Sequence, residues 1–153
     1  MYEVEGAEKF AILAKALRQF GEKDLRKELY AGLNRAVKPL TAHVKESTPQ
    51  FLPTRYAKEL SKSLRVKQRR RAGKDPAIFL VGSAKTRKGK ERDLTSLNRG
   101  RLRHTLFGDR RNWYDQSVRP DWWDAPIQED IDDVRREVEK ALDNAAQKLA
   151  AKL

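Results

Sequence analysis

The segment 81–90, Val-Gly-Ser-Ala-Lys-Thr-Arg-Lys-Gly-Lys, comes nearest to a chemical motif, because it follows a strand-forming run as a phosphate-cradling P-loop does. Its spacing does not fit. Gly82 and Gly89 are seven positions apart, Glu91 and not Ser or Thr follows Lys90, and no helix signal comes next. His43 and His104 are the two histidines, and no cysteine accompanies them, so a zinc set would have to be completed by several carboxylates. His43 reads as a helix-surface residue. The run Pro120-Asp121-Trp122-Trp123-Asp124 starts like a metal-dependent nuclease motif, but no acid two residues before a lysine follows it. The acids Glu129, Asp130, Asp132 and Asp133 suit the positive end of a helix dipole. With no Gly-x-Ser-x-Gly elbow and no nucleophile, base and orienter to combine, the chain is expected to have no catalytic residue, cofactor, metal or small-molecule substrate.

The charge that remains is concentrated. Residues 65–111 hold 16 of the 34 Lys and Arg but 4 of the 22 Asp and Glu, so this window carries the whole net charge of +12 and the flanks are neutral. Localised positive charge attracts a polyanion or an acidic neighbouring subunit. Scattered cations such as Lys9 and Lys23 read as solvated surface. Lys85, Arg87, Lys88, Lys90 and Arg92 crowd into eight positions and repel one another unless a partner neutralises them. Together with Arg69, Arg70 and Arg71 they are the candidate contacts to DNA phosphates or to an acidic partner. No recognition motif accompanies them, so base-specific readout is not expected.

The elements that must carry these residues follow from periodicity. Phe10, Leu13 and Leu17 predict a helix over 7–20, and Gly21 separates it from a longer one. Leu25, Leu29, Leu33, Val37, Leu40 and Val44 keep one helical face through Pro39, where a kink is expected. The two prolines of 47–53 predict a loop, and a short helical turn is expected after it. Strands are expected at 64–71, as an arginine-rich edge, and at 77–83, with a third near 102–107. Residues 84–93 form a long basic hairpin tip or disordered loop. An irregular segment bearing Trp113, Tyr114, Trp122 and Trp123 leads to Pro126, and these aromatics either pin a loop to the core or anchor a subunit interface. Ile127, Ile131, Val134, Val138, Leu142, Ala145 and Leu149 mark a C-terminal amphipathic helix expected to pack on the N-terminal one. The fold class is α+β: a long N-terminal helix, a small antiparallel sheet with a long basic hairpin loop, and a long C-terminal helix. One domain over 1–153 is expected, comprising a helical part at 1–47, the basic sheet and loop at 64–108, a tryptophan-rich connector at 109–126 and the helix at 127–152. The polar, acidic N-terminus and the lack of a long apolar run predict a soluble chain with no signal peptide and no membrane partner. Without cysteine, the fold is independent of redox compartment.

Residues 94–108, Leu-Thr-Ser-Leu-Asn-Arg-Gly-Arg-Leu-Arg-His-Thr-Leu-Phe-Gly, with 112–123, Asn-Trp-Tyr-Asp-Gln-Ser-Val-Arg-Pro-Asp-Trp-Trp, resemble the minor tail component or tail-completion proteins of long-tailed phages, particularly phages of actinobacteria. In that family a Gly-Arg-Leu-Arg-His-Pro-x-Phe-Gly block precedes a tryptophan, a glutamine and an Arg-Pro-Gly-Trp-like block. Gly100, Arg101, Leu102, Arg103, His104, Phe107, Gly108, Trp113, Gln116, Pro120 and Trp122 match it, and Trp123 adjoins it. Thr105 stands where the family has proline, and Asp121 where it has glycine.

The resemblance implies a structural virion protein of the head–tail neck, of tail-completion or tail-terminator type. Such a protein forms part of a homo-oligomeric, hexameric ring around the DNA channel. Its implied partners are neighbouring neck and tail proteins and the backbone of the genome, and its place is the virion, assembled in the host cytoplasm. The matched residues are then structural or interface residues. A free basic DNA- or RNA-binding protein and a head-closure ring protein are the alternatives.

Overall fold

The computed structural model describes residues 7–69, 77–85, 89–106 and 108–153. Among these residues, five helices and four strands follow in the order α1 (Ala7–Gln19), α2 (Lys23–Phe51), α3 (Thr54–Ser63), β1 (Arg65–Arg69), β2 (Ala77–Val81), α4 (Leu94–Asn98), β3 (Arg101–Leu106), β4 (Asp109–Ser117) and α5 (Asp124–Ala150). The chain is α+β, with long helices towards both ends. The sheet is two sheets and not one: β1 pairs with β2, and β3 with β4, both antiparallel. The residues group into two compact units, 1–41 with 65–80 and 130–153, and 42–64 with 81–129.

In the first unit α1 stops where Gly21 takes φ +71°, a left-handed conformation glycine adopts without strain. The Gly21 N–H then donates to Arg18 O at 3.2 Å and the Glu22 N–H to Leu17 O at 2.9 Å, the paired bonds that satisfy a helix's last carbonyls. The core of this unit is built from three helices. Phe10, Ala14 and Leu17 of α1 meet Leu25, Leu29, Tyr30 and Leu33 of α2 and Leu142, Ala145 and Leu149 of α5. Phe10 stands edge-on to Tyr30 at 5.5 Å between ring centroids. The C-terminal helix therefore packs on the N-terminal ones as its stripe predicts, through Val138, Leu142 and the residues beyond them. Lys148 pairs with Glu28, and Lys152 with Glu22 at 2.7 Å. Ile78 of β2 lies against this core, and Gln68 Nε2 of β1 donates to Tyr30 O at 3.3 Å.

The second unit corrects the expected loop at 47–53. Helix α2 continues through Pro49 to Phe51. A proline inside a helix leaves the carbonyl four residues earlier without its donor. Here that carbonyl is Lys45 O, and the Ser61 hydroxyl of α3 donates to it at 3.2 Å. The vacant acceptor is satisfied by a residue that sequence proximity does not reveal. Ser63 Oγ in turn accepts the Ser83 N–H at 2.9 Å, tying the end of α3 to the chain after β2. Val44, Leu52, Leu60, Leu64, Leu97 and Trp122 are among the buried residues of this unit.

The connector expected to be irregular at 109–126 is also corrected. Its first nine residues are β4, paired antiparallel with β3 in the register Arg101↔Ser117, Leu102↔Gln116, Arg103↔Asp115, His104↔Tyr114 and Thr105↔Trp113, with an irregularity before Leu106↔Asp109. The tryptophan spacing conceals the strand because eight of its nine residues are exposed, so no buried-and-exposed alternation is written into the sequence.

Candidate interaction site

The segment that carries the resemblance forms one local assembly, α4 followed by the β3–β4 ribbon. Asp93 caps α4: the Ser96 N–H donates to Asp93 Oδ1 at 3.0 Å and Ser96 Oγ to Oδ2 at 2.7 Å. These donors favour the ionised form and hold the Asp93 carboxyl below its usual range. Asn98, the last residue of α4, closes the base of the ribbon. Its Oδ1 accepts the Trp123 N–H at 2.9 Å, its Nδ2 donates to Asp124 Oδ2 at 2.7 Å, and its carbonyl accepts the Asp121 N–H at 2.7 Å. One residue thus fixes the entry of α5 to the end of α4. Nothing in the sequence singled Asn98 out, since its partners lie more than twenty positions further along.

Gly100 sits where the two ends of the ribbon meet. Its φ is +83°, its carbonyl accepts the Val118 N–H at 2.9 Å, and a Cβ there would lie 2.8 Å from Val118 O and 3.3 Å from Pro120. Only glycine fits both the dihedral and the gap. Further on, Asp121 holds φ +67°, the one positive φ outside glycine among the described residues. This is the position where the resembled family has glycine, so the departure falls on a backbone conformation that favours the residue it replaces.

The aromatics of this segment divide by environment. Trp122 is 2% exposed and stands edge-on to the half-buried Trp123 at 5.5 Å. Trp113 and Tyr114 are each 54% exposed on β4. The core-pinning reading describes Trp122, which is buried, whereas Trp113 is half exposed and is not held in the core. On one face of the ribbon the Arg103 guanidinium lies 5.2 Å from the Trp113 ring centre, with Arg101 and Asp115 beside them. On the other, His104 leans on Tyr114 at 5.6 Å, near Leu102 and Gln116, and His104 Nδ1 is 3.2 Å from Thr105 O. Gly108 occupies the tip, where Asp109 accepts from the Arg111 N–H at 3.0 Å and from Asn112 Nδ2 at 3.1 Å. Those bonds lower the Asp109 pKa. Phe107 lies outside the described residues.

The basic candidates are not equivalent. Arg92 Nε donates to Glu59 Oε2 at 3.3 Å and Nη1 to the Tyr56 hydroxyl at 3.1 Å, with the guanidinium 4.4 Å from the Tyr56 ring centre. Arg92 is a half-buried strut between the basic segment and α3. The Lys85 N–H donates to the same Glu59 at 3.2 Å, and Lys85 bridges to Glu91 as an antiparallel pair, leaving the Lys85 and Lys90 side chains exposed beyond α3. Arg87, Lys88, Arg70, Arg71 and the side chain of Arg69 lie outside the described residues.

His43 Nε2 is 3.6 Å from Glu129 Oε2. Among the described residues no three His, Asp or Glu side chains gather as metal ligands do, and no helix is long and apolar enough to cross a membrane. No protein-family model, curated protein or solved structure matches the chain.

Proposed function

We propose that this protein is a structural component of a phage head–tail neck, of tail-completion or tail-terminator type, one subunit of a ring around the DNA channel. The observation that supports this reading best is that the residues carrying the resemblance, scattered over 100–122, serve one local structure. Gly100 closes the base of the ribbon, Trp122 anchors it, and Arg101, Arg103, Trp113 and Gln116 are displayed along it. Side chains that hold an exposed ribbon in place, and arginine and tryptophan at its surface, suit a protein that works by contact and not by turnover. The basic segment 85–92 supplies charge that can face the DNA backbone or an acidic ring.

Gold-labelled antibody against the protein should mark purified particles at the junction of head and tail. Label distributed over the capsid or absent from particles would overturn the reading. A free nucleic-acid-binding protein is the second reading, favoured by the charge window alone, and it requires tight binding to duplex DNA without any assembly partner.

A further inference from the structure

Among the described residues the β3–β4 ribbon has one strand left almost wholly uncovered. Two strands alone are marginal in water, and β4 keeps eight of its nine residues exposed. Among the described residues neither outer edge of the ribbon has a strand neighbour, so β4 presents a row of unpaired backbone donors and acceptors. Trp113 and Tyr114 are adjacent in sequence and so point to opposite faces of the ribbon, each 54% exposed. A flat partner laid on one face would cover one of them. A strand added along the edge extends both faces at once and shields both rings.

The charges on the ribbon select the kind of strand. Arg101, Arg103, Arg110 and Arg111 share it with Asp109 and Asp115, and Arg103 already faces Asp115 across the pair. Carboxylates on the exposed strand repel phosphate, whereas an edge of mixed sign complements another edge of the same composition. We propose that the outer edge of β4 pairs with the outer edge of β3 in a second copy of this chain, setting Asp115 against Arg103 of that copy and covering Trp113 and Tyr114. Such head-to-tail contacts are the type that closes into rings. The inference rests on the ring reading for the expectation that copies associate, and it names the surface through which they do.

The test uses the full chain in about 0.5 M salt, which screens the repulsion expected between copies of net charge +12. Sedimentation should show concentration-dependent association, with backbone amides of 109–117 gaining protection from hydrogen exchange as it proceeds. Arg103→Asp alone, or Asp115→Arg alone, should associate several-fold more weakly. An equimolar mixture of the two variants should recover the association. Asp115 of the first variant then meets the intact Arg103 of the second, and the two substituted positions also meet with opposite charge, while the pair inside every copy stays mismatched. Recovery on mixing therefore reads the contact between copies and not the folding of the ribbon. A chain that stays monomeric, a mixture no better than its components, or protection of 109–117 appearing only on addition of duplex DNA would overturn the proposal. Should gold label still mark the neck in that event, the ring is built through another surface and the neck reading stands.

Discussion

Single side chains carry the clearest consequences. Trp122 fills the core of its unit at 2% exposure, whereas Trp113 is half exposed, so the same substitution separates them. Trp122→Ala should cost about 3–5 kcal/mol, and Trp113→Ala should leave the unfolding free energy of the monomer within about 0.5 kcal/mol, both measured by denaturant titration. At Asp121, φ is +67°. Asp121→Gly should stabilise the chain by about 0.5–1 kcal/mol, once the larger backbone entropy of unfolded glycine is set against the relieved strain, visible as a rise in melting temperature of about 1–4 °C. The sequence displayed Trp122 and Asp121 only as members of a motif. Which tryptophan is buried, and which backbone is left-handed, depends on Asn98 and Gly100 closing the ribbon base, through contacts between residues far apart in the chain.

Elements were legible to the degree that their own residues write a pattern. The three-helix core of the first unit was visible in the stripes of Leu17, Leu29, Leu33, Leu142 and Leu149, because burial on one face imposes helical spacing. Two elements were not visible, for opposite reasons. Pro49 reads as a stop, yet α2 continues because Ser61 of another helix takes the place of the missing donor to Lys45 O. Strand β4 reads as irregular because exposure on both faces removes the alternation by which strands are recognised. Ser61→Ala should therefore cost about 1–2 kcal/mol, more than an ordinary half-exposed serine, by leaving that carbonyl unpaired. Chemical denaturation of the variant beside the parent chain measures it. The cap of α4 gives a pH dependence of defined sign. Asp93 has a lowered pKa in the folded chain, from a usual value of 3.8, so its contribution is fully present above that value and is lost as pH falls through the folded pKa. Amide signals of α4 should shift on acidification below about pH 4, and Asp93→Asn should shift them less.

At the scale of the whole molecule, charge and aromatics are divided between two tasks. The basic segment keeps Lys85 and Lys90 exposed while Arg92 is spent on Glu59 and Tyr56. Replacing Lys85, Arg87, Lys88 and Lys90 with serine should abolish a salt slope of about −3.6 in log K for duplex DNA, the value for four phosphate contacts. Arg92→Ser should instead lower thermal stability. The charge window was legible from the sequence as a sum, but the division of its members between structure and surface was not, because Glu59 lies on α3, outside it. An exposed ribbon with arginine and tryptophan, a basic segment and a motif resembling tail-completion proteins together favour assembly as the work of this chain. The most direct measurement is deletion of the gene from the genome that encodes it, followed by electron microscopy of the particles that the genome produces. The neck reading requires full heads and separate tails that fail to join, with infectivity restored when the protein is supplied; normal joined particles with normal infectivity would contradict it.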